Sequence, residues 1–259
     1  MPLPLFVVDA FTARPFAGNP AAVCLLDGPR PDDWMQSLAA EMNLSETAFL
    51  LPEGDGWRLR WMTPRVEVDL CGHATLASAH VLWSERQADP LVRFQTRSGQ
   101  LTASRDGDAI VLDFPAVRAV PADGDPGLGE ALGARLLFLG RNGMDYLAEV
   151  ADEPTLRSLR PDFARLADLP VRGVIVTAAS KDYDFVSRFF APRVGVPEDP
   201  VTGSAHCALG PFWAARLGKS ELRAYQASPR GGEVRVSVRG DRVLLGGRAV
   251  TVVRGQVVA

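Results

Sequence analysis

The sequence predicts an α+β fold of two pseudo-symmetric halves, each a barrel-like, mostly antiparallel sheet wrapped around a central helix. An internal repeat is the first observation behind this. Arg60-Trp61-Met62-Thr63-Pro64-Arg65-Val66-Glu67-Val68 lines up with Arg188-Phe189-Phe190-Ala191-Pro192-Arg193-Val194-Gly195-Val196, roughly half the chain later. Each copy runs on to a glycine, Gly72 or Gly203, that opens a helix, with a short insertion before the second. The second observation is the character of those helices. Ala74–Trp83 carries no formal charge apart from His80, and Ala205–Ala215 is similarly apolar, with Phe212 and Trp213. A helix that is apolar on all sides is buried on all sides. Third, strand patterns flank both helices in the same order.

The elements follow from local pattern. Leu3–Phe11 is apolar and β-branched and stops at Thr-Ala-Arg-Pro, so it reads as a strand. Phe16-Ala17-Gly18-Asn19-Pro20 is turn chemistry before the apolar run Ala21–Leu26. Pro31-Asp32-Asp33 opens a helix with Trp34, Leu38 and Met42 on one face. Strands follow at Thr47–Leu51 and Trp57–Met62, then the helix from Gly72 to about Arg86, then strands at Val92–Thr96, Gln100–Ser104 and Ala109–Phe114. The second half reads as strands at Arg135–Gly140 and Asp145–Val150, a helix over Glu153–Leu166, and strands at Gly173–Thr177 and Asp184–Phe190. A helix from Gly203 to Leu217 and strands at Leu222–Ser228, Glu233–Arg239, Val243–Gly246 and Ala249–Val253 close the chain. Proline and glycine between Ala116 and Gly129 mark the linker. The expected domains are therefore 1–117 and 118–259, with the last strand able to cross back to the first half.

The chain has 259 residues, 47% hydrophobic and 23% charged, which suits a globular protein and excludes a disordered or fibrous one. A net charge of −3 argues against nucleic acid as a partner. No apolar stretch is long enough to span a membrane, and the opening residues read as a strand and not a signal peptide. Three cysteines do not make a disulfide framework, which fits a cytoplasmic setting.

The chemistry-bearing residues gather around the two helix starts. Gly72-His73-Ala74 and Gly203-Ser204-Ala205 are small, so a ligand can approach backbone N–H groups that favour a carboxylate or a developing oxyanion. Ordinary capping explains each end equally well. Glu46 heads an apolar strand, where a carboxylate tends toward a raised pKa suited to proton transfer; an exposed strand-end glutamate is the plain alternative. His73 could relay a proton or donate a hydrogen bond. Asp199, before Pro200, could hold a substrate amine, orient His73 or simply form a turn. Cys71 precedes a helix start that favours a thiolate, yet also suits a small buried apolar site. Cys24 and Cys207 read as structural. His73 and His80 have no third ligand at zinc-like spacing, so no metal is expected. Ser204, His73 and Asp199 could form a hydrolase triad, but no Gly-x-Ser-x-Gly elbow is present. No dinucleotide or P-loop motif implies a nucleotide.

Taken together, these stretches resemble the phenazine-biosynthesis PhzF-like proteins, which share the diaminopimelate-epimerase-like fold. The resemblance rests on Asp9-Ala10-Phe11-Thr12, Pro15-Phe16-Ala17-Gly18-Asn19-Pro20, Asn43-Leu44-Ser45-Glu46-Thr47-Ala48-Phe49, Thr63-Pro64, Cys71-Gly72-His73-Ala74-Thr75, Arg188-Phe189-Phe190-Ala191-Pro192, and Glu198-Asp199-Pro200-Val201-Thr202-Gly203-Ser204-Ala205. It implies a cofactor-independent isomerase, often a homodimer, acting on a small anionic metabolite in a cleft between the halves. Glu46 matches the family's general acid/base, and His73 and Asp199 match its other catalytic positions. Gly72, Gly203, Ser204 and, less directly, Asn19 match its substrate-binding positions. The related epimerases carry a cysteine at each helix start; here Cys71 keeps one place and Thr202 stands at the other. That leaves Cys71 as a candidate acid/base. An amino-acid epimerase or racemase using it, or a non-catalytic metabolite-binding protein, are the alternatives.

Overall fold

The structure, a computed structural model, describes residues 2–258. It divides into two compact units, Met1–Asp113 with Gly246–Ala259, and Phe114–Leu245.

In the first unit, β1 (Leu3–Ala10) and β2 (Asn19–Leu25) form an antiparallel hairpin. Helix α1 (Asp32–Met42) carries the chain over so that β3 (Glu46–Glu53) lies parallel to β2. Strand β4 (Gly56–Met62) returns antiparallel, and β5 (Glu67–Val68) pairs with its end. Helix α2 (Gly72–Ser84) is a second crossover, placing β6 (Leu91–Thr96) parallel to β4; β7 (Gly99–Asp106) and β8 (Ala109–Pro115) continue antiparallel.

The second unit repeats this grammar. After β9 (Val120–Pro121) and α3 (Leu128–Leu132), β10 (Phe138–Arg141) and β11 (Asp145–Glu149) are antiparallel. Helices α4 (Glu153–Ser158) and α5 (Phe163–Ala167) cross over to β12 (Gly173–Ala179), parallel to β11. Strand β13 (Phe185–Ala191) returns antiparallel, and β14 (Val196–Asp199) pairs with its end. Helix α6 (Gly203–Leu217) crosses to β15 (Glu221–Gln226), parallel to β13, and β16 (Gly232–Arg239) pairs antiparallel with β15. Strand β17 (Arg242–Gly247) follows, and β18 (Ala249–Val257) runs antiparallel along β1. The duplication reaches side chains. Arg60 grips Glu67 through two N–H···O bonds of 2.7 Å, and Arg188 grips Glu198 in the same fork at 2.7 and 2.9 Å.

Both central helices are buried over most of their length. Helix α2 packs against β1, β2, β3, β7 and β18. Its hydroxyls turn back to the helix backbone: Thr75 donates to the Cys71 carbonyl at 2.6 Å and Ser78 to that of Ala74 at 2.7 Å. That satisfies polar groups where no water can. Around α6, Trp213 stacks on Phe185 with centroids 5.7 Å apart and donates to Thr177 Oγ1 at 2.9 Å, while Phe212 meets Phe138.

Several expectations change. The helix expected over 153–166 is two short helices. Pro161 lacks an N–H and disfavours a helical Arg160, and Asp162 caps a new start by accepting from the Ala164 and Arg165 N–H groups. Helix α1 buries Met35 and Ala39, with Trp34 and Leu38 at the margin of the same cluster. The expected linker is tied down at its start and runs into the first turn of α3. Pro211 inside α6 cannot donate to the Cys207 carbonyl, and Val117 N–H takes that acceptor at 3.0 Å. The second unit is Phe114–Leu245, and the closing residues bond along β1 in the first.

Helix α6 packs tightly on β16 at Gly210, where an added Cβ would stand 2.8 Å from Val236 Cγ1 and 3.3 Å from Val238 Cγ2. Alanine gains about 1 kcal/mol of helix propensity. Overpacking against two stiff valines costs about 1–3 kcal/mol. Gly210→Ala should therefore lower stability by up to about 2 kcal/mol, read as a lower urea midpoint.

Candidate active site

Four of the expected residues meet in the first unit. Gly18 has φ +64, and a Cβ there would lie 2.1 Å from the Ala10 carbonyl oxygen, so the turn that delivers Asn19 to β2 requires glycine. Buried Asp9 fixes the same turn, accepting from the Phe16 N–H at 2.7 Å. The parallel β2–β3 pairing sets Glu46 beside Ala21, close to Asn19 in register. His73 is in the first turn of α2. Its Nδ1 is 3.2 Å from Asn19 Nδ2 and 3.5 Å from Cys71 Sγ, and its Nε2 is 3.2 Å from Glu46 Oε2. An amide donor at Nδ1 leaves the ring proton on Nε2, facing the carboxylate. Burial pushes the His73 pKa down to about 3, so the imidazole is neutral.

Asp199, Gly203 and Ser204 meet in the second unit. Strand β14 carries Asp199, and the Arg188–Glu198 fork anchors that strand one residue earlier. Arg188 is itself buried and also donates to the Leu156 and Leu159 carbonyls. Thr202, the residue before α6, donates its hydroxyl to Asp199 Oδ2. Gln226 locks the turn: its carbonyl accepts from the Thr202 N–H at 2.8 Å, and its amide donates to the Asp199 carbonyl at 2.7 Å and to Thr202 Oγ1 at 3.1 Å. Ser204 accepts from Arg172 at 3.0 Å.

The two helix starts share one plan. Their N-cap residues, Cys71 and Thr202, are extended, and neither side chain caps the helix. One turn on, Thr75 Oγ1 and His206 Nδ1 donate to the N-cap carbonyls at 2.6 and 2.8 Å. Gly72 and Gly203 open helices whose partial positive charge is available to an anion. Arg172, Asp145, Gln226 and the two Arg–Glu forks escaped the sequence reading. The Arg60/Arg188 repeat was a signal for the forks, whereas Gln226 lies at the end of an ordinary strand pattern.

Glu46, Cys71 and His73 each offer a ligand atom within 4.8 Å of the others, a donor set zinc would accept. His73, however, turns one nitrogen to Cys71 and the opposite one to Glu46, which suits a hydrogen-bonded relay better than a shared ion.

Comparison with known proteins bears out the fold class. The model of the phenazine biosynthesis-like proteins matches residues 8–255. The chain belongs to this family. An uncharacterized isomerase of Halalkalibacterium halodurans is 54% identical over 99% of this chain and 98% of its own. The crystal structure of an Enterococcus faecalis PhzF-family protein superposes with a TM-score of 0.97 at 42% identity, covering 100% of both chains. A predicted epimerase of Pseudomonas aeruginosa shares the fold, with a TM-score of 0.77 at 24% identity over 99% of each chain. This member of the phenazine biosynthesis-like family is thus an enzyme of the isomerase class with the expected epimerase-like fold. No helix of the described residues is long and apolar enough to cross a membrane.

Burial also holds His206 down, to about 4, against a raising contribution from its bond to the Thr202 carbonyl. His73 and His206 start from 6.5 when exposed. The unfolded chain therefore takes up protons that the folded one refuses, so their contribution is intact above pH 6.5 and drains away as pH falls toward 4. Urea midpoints should drop between about pH 7 and pH 5, and His206→Gln should flatten that slope.

Proposed function

We propose that the protein is a cofactor-independent isomerase that moves a proton on a small cyclic carboxylate, with Glu46 as the general acid/base. The observation that carries this is the contact of Glu46 Oε2 with Nε2 of a buried, neutral His73, 3.2 Å away. A neutral imidazole can donate to the carboxylate and hold it in place without forming a permanent ion pair. Glu46 takes a proton from a carbon next to the carboxylate or a conjugated bond and returns it to another carbon. The family resemblance assigns Gly72, Gly203, Ser204 and Asp199 to holding the substrate's oxygens and amine. Composition supports a cytoplasmic home, and the family resemblance supports a homodimer.

Proton NMR in heavy water tests this, with a panel of dihydro-hydroxyanthranilate, diaminopimelate and cyclic amino acids. The wild type should introduce deuterium at carbon into at least one of them. Glu46→Gln should lower that rate by roughly a hundredfold or more with an unchanged circular dichroism spectrum. A fully active Glu46→Gln protein would sink the assignment.

A second reading has one observation in its favour, the 3.5 Å approach of Cys71 Sγ to His73 Nδ1. There Cys71 and Glu46 are the two acid/base groups of an epimerase, joined through the imidazole. Under the proposed function, Cys71→Ser keeps turnover within a few-fold and iodoacetamide has little effect. A dead Cys71→Ser protein, and protection from alkylation by the substrate, would favour the epimerase.

A further inference from the structure

Arg172 stands beside the start of α6 in an unusually constrained setting. Its Nε donates to Asp145 Oδ1 at 2.9 Å and its Nη2 to Asp145 Oδ2 at 2.5 Å. Asp145 is 1% exposed and sits in a turn locked by Asn142, whose side-chain oxygen accepts from the Met144 and Asp145 N–H groups at 2.8 and 2.7 Å. The Arg172 N–H donates to the Met144 carbonyl at 2.7 Å, and its guanidinium lies over the Phe189 ring at 5.2 Å. Held on these sides, the guanidinium extends its Nη2 to Ser204 Oγ at 3.0 Å.

The direction of that last bond has a consequence. A guanidinium has only donors and does not lose its proton in proteins, so Ser204 Oγ must accept. Its hydroxyl proton then points elsewhere, and no acceptor for it is found among the described residues. Asp145 balances the Arg172 charge at close range, so the pair acts on Ser204 by hydrogen-bond direction more than by net charge.

We propose that Arg172, fixed by Asp145, is the positioning residue that makes Ser204 an obligate hydrogen-bond donor to a carboxylate oxygen of the substrate at the N-terminal end of α6. This rests on the proposed function only in taking Ser204 as a substrate contact. Its test needs no turnover.

Calorimetric titration with anthranilate, a stable cyclic carboxylate, and with its neutral carboxamide, anthranilamide, reads the effect directly. The wild type should bind anthranilate about tenfold more tightly than the amide, the scale of one hydrogen bond to a charged acceptor. Ser204→Ala and Arg172→Met should each lose about that tenfold for anthranilate and leave the amide unchanged. The double variant should be no weaker than either single one, because both remove one interaction. Since Arg172→Met strands the Asp145 carboxylate, the paired Asp145→Asn/Arg172→Gln protein repeats the measurement with the buried charge removed, and should match it. Additive losses, equal losses for both probes, equal wild-type affinities, or no saturable anthranilate binding by the wild type each overturn the proposal. Failure of the proton-transfer reading would instead appear as an active Glu46→Gln enzyme with this anthranilate preference intact.

Discussion

A helix without a polar face has to be enclosed, and that requirement organises each unit. Helices α2 and α6 bury nearly every residue of their first three turns, so strands must surround them. Chain order then follows. Each helix is the crossover between two parallel strands, β4 to β6 and β13 to β15, and antiparallel neighbours complete the wall. Enclosure also dictates what becomes of polar groups. Thr75, Ser78 and His206 bond back to carbonyls of their own helix or its N-cap, and Trp213 finds Thr177 on the wall. The N-terminal ends of both helices are the exception to this inward closure. Thr202 spends its hydroxyl on Asp199 and Cys71 turns toward His73, so neither caps its own helix.

The same enclosure explains the electrostatic character of the two residue clusters. His73 is neutral because water is excluded around it, not because a cation opposes it. Its two nitrogens thereby keep different settings, one beside Asn19 and Cys71, the other 3.2 Å from Glu46 Oε2. In the second unit, Gln226 has no charge at all, yet its one amide group fixes three atoms of the 199–202 turn. A neutral residue with both donor and acceptor suits such a place, since burying it and satisfying it costs less than burying an ion.

Much of this was legible in the sequence because it depends on local composition. The charge-free runs after Gly72 and Gly203 announced the central helices, and the Arg60 and Arg188 repeats announced the duplication. Helix α4 and α5 were read as one because the apolar spacing continues through Pro161, whose ring breaks what the spacing suggests. Short strands such as β5, β9 and β14 have only two to four residues, too few for a local alternating run to mark them. Of the candidate site, the residues at helix starts and turns could be found. Arg172, Asp145 and Gln226 could not, since only tertiary pairing brings them to Ser204 and Asp199.

The paired Arg–Glu forks have a further meaning for how such a protein can diversify. Each fork lies upstream of a helix start and ties a long strand to the short strand after it, β4 to β5 and β13 to β14, through side chains alone. The residues just beyond it have changed between halves: Cys71 against Thr202, His73 against Ser204, Thr75 against His206. The frame and the reactive tips are thus physically decoupled. A chain built this way can exchange a thiol for a hydroxyl, or an imidazole for an alcohol, at one helix start while the strands that carry it stay as they are. Two copies of one scaffold can then drift toward unlike chemistry, one handling protons and the other oxygens, with no new fold required.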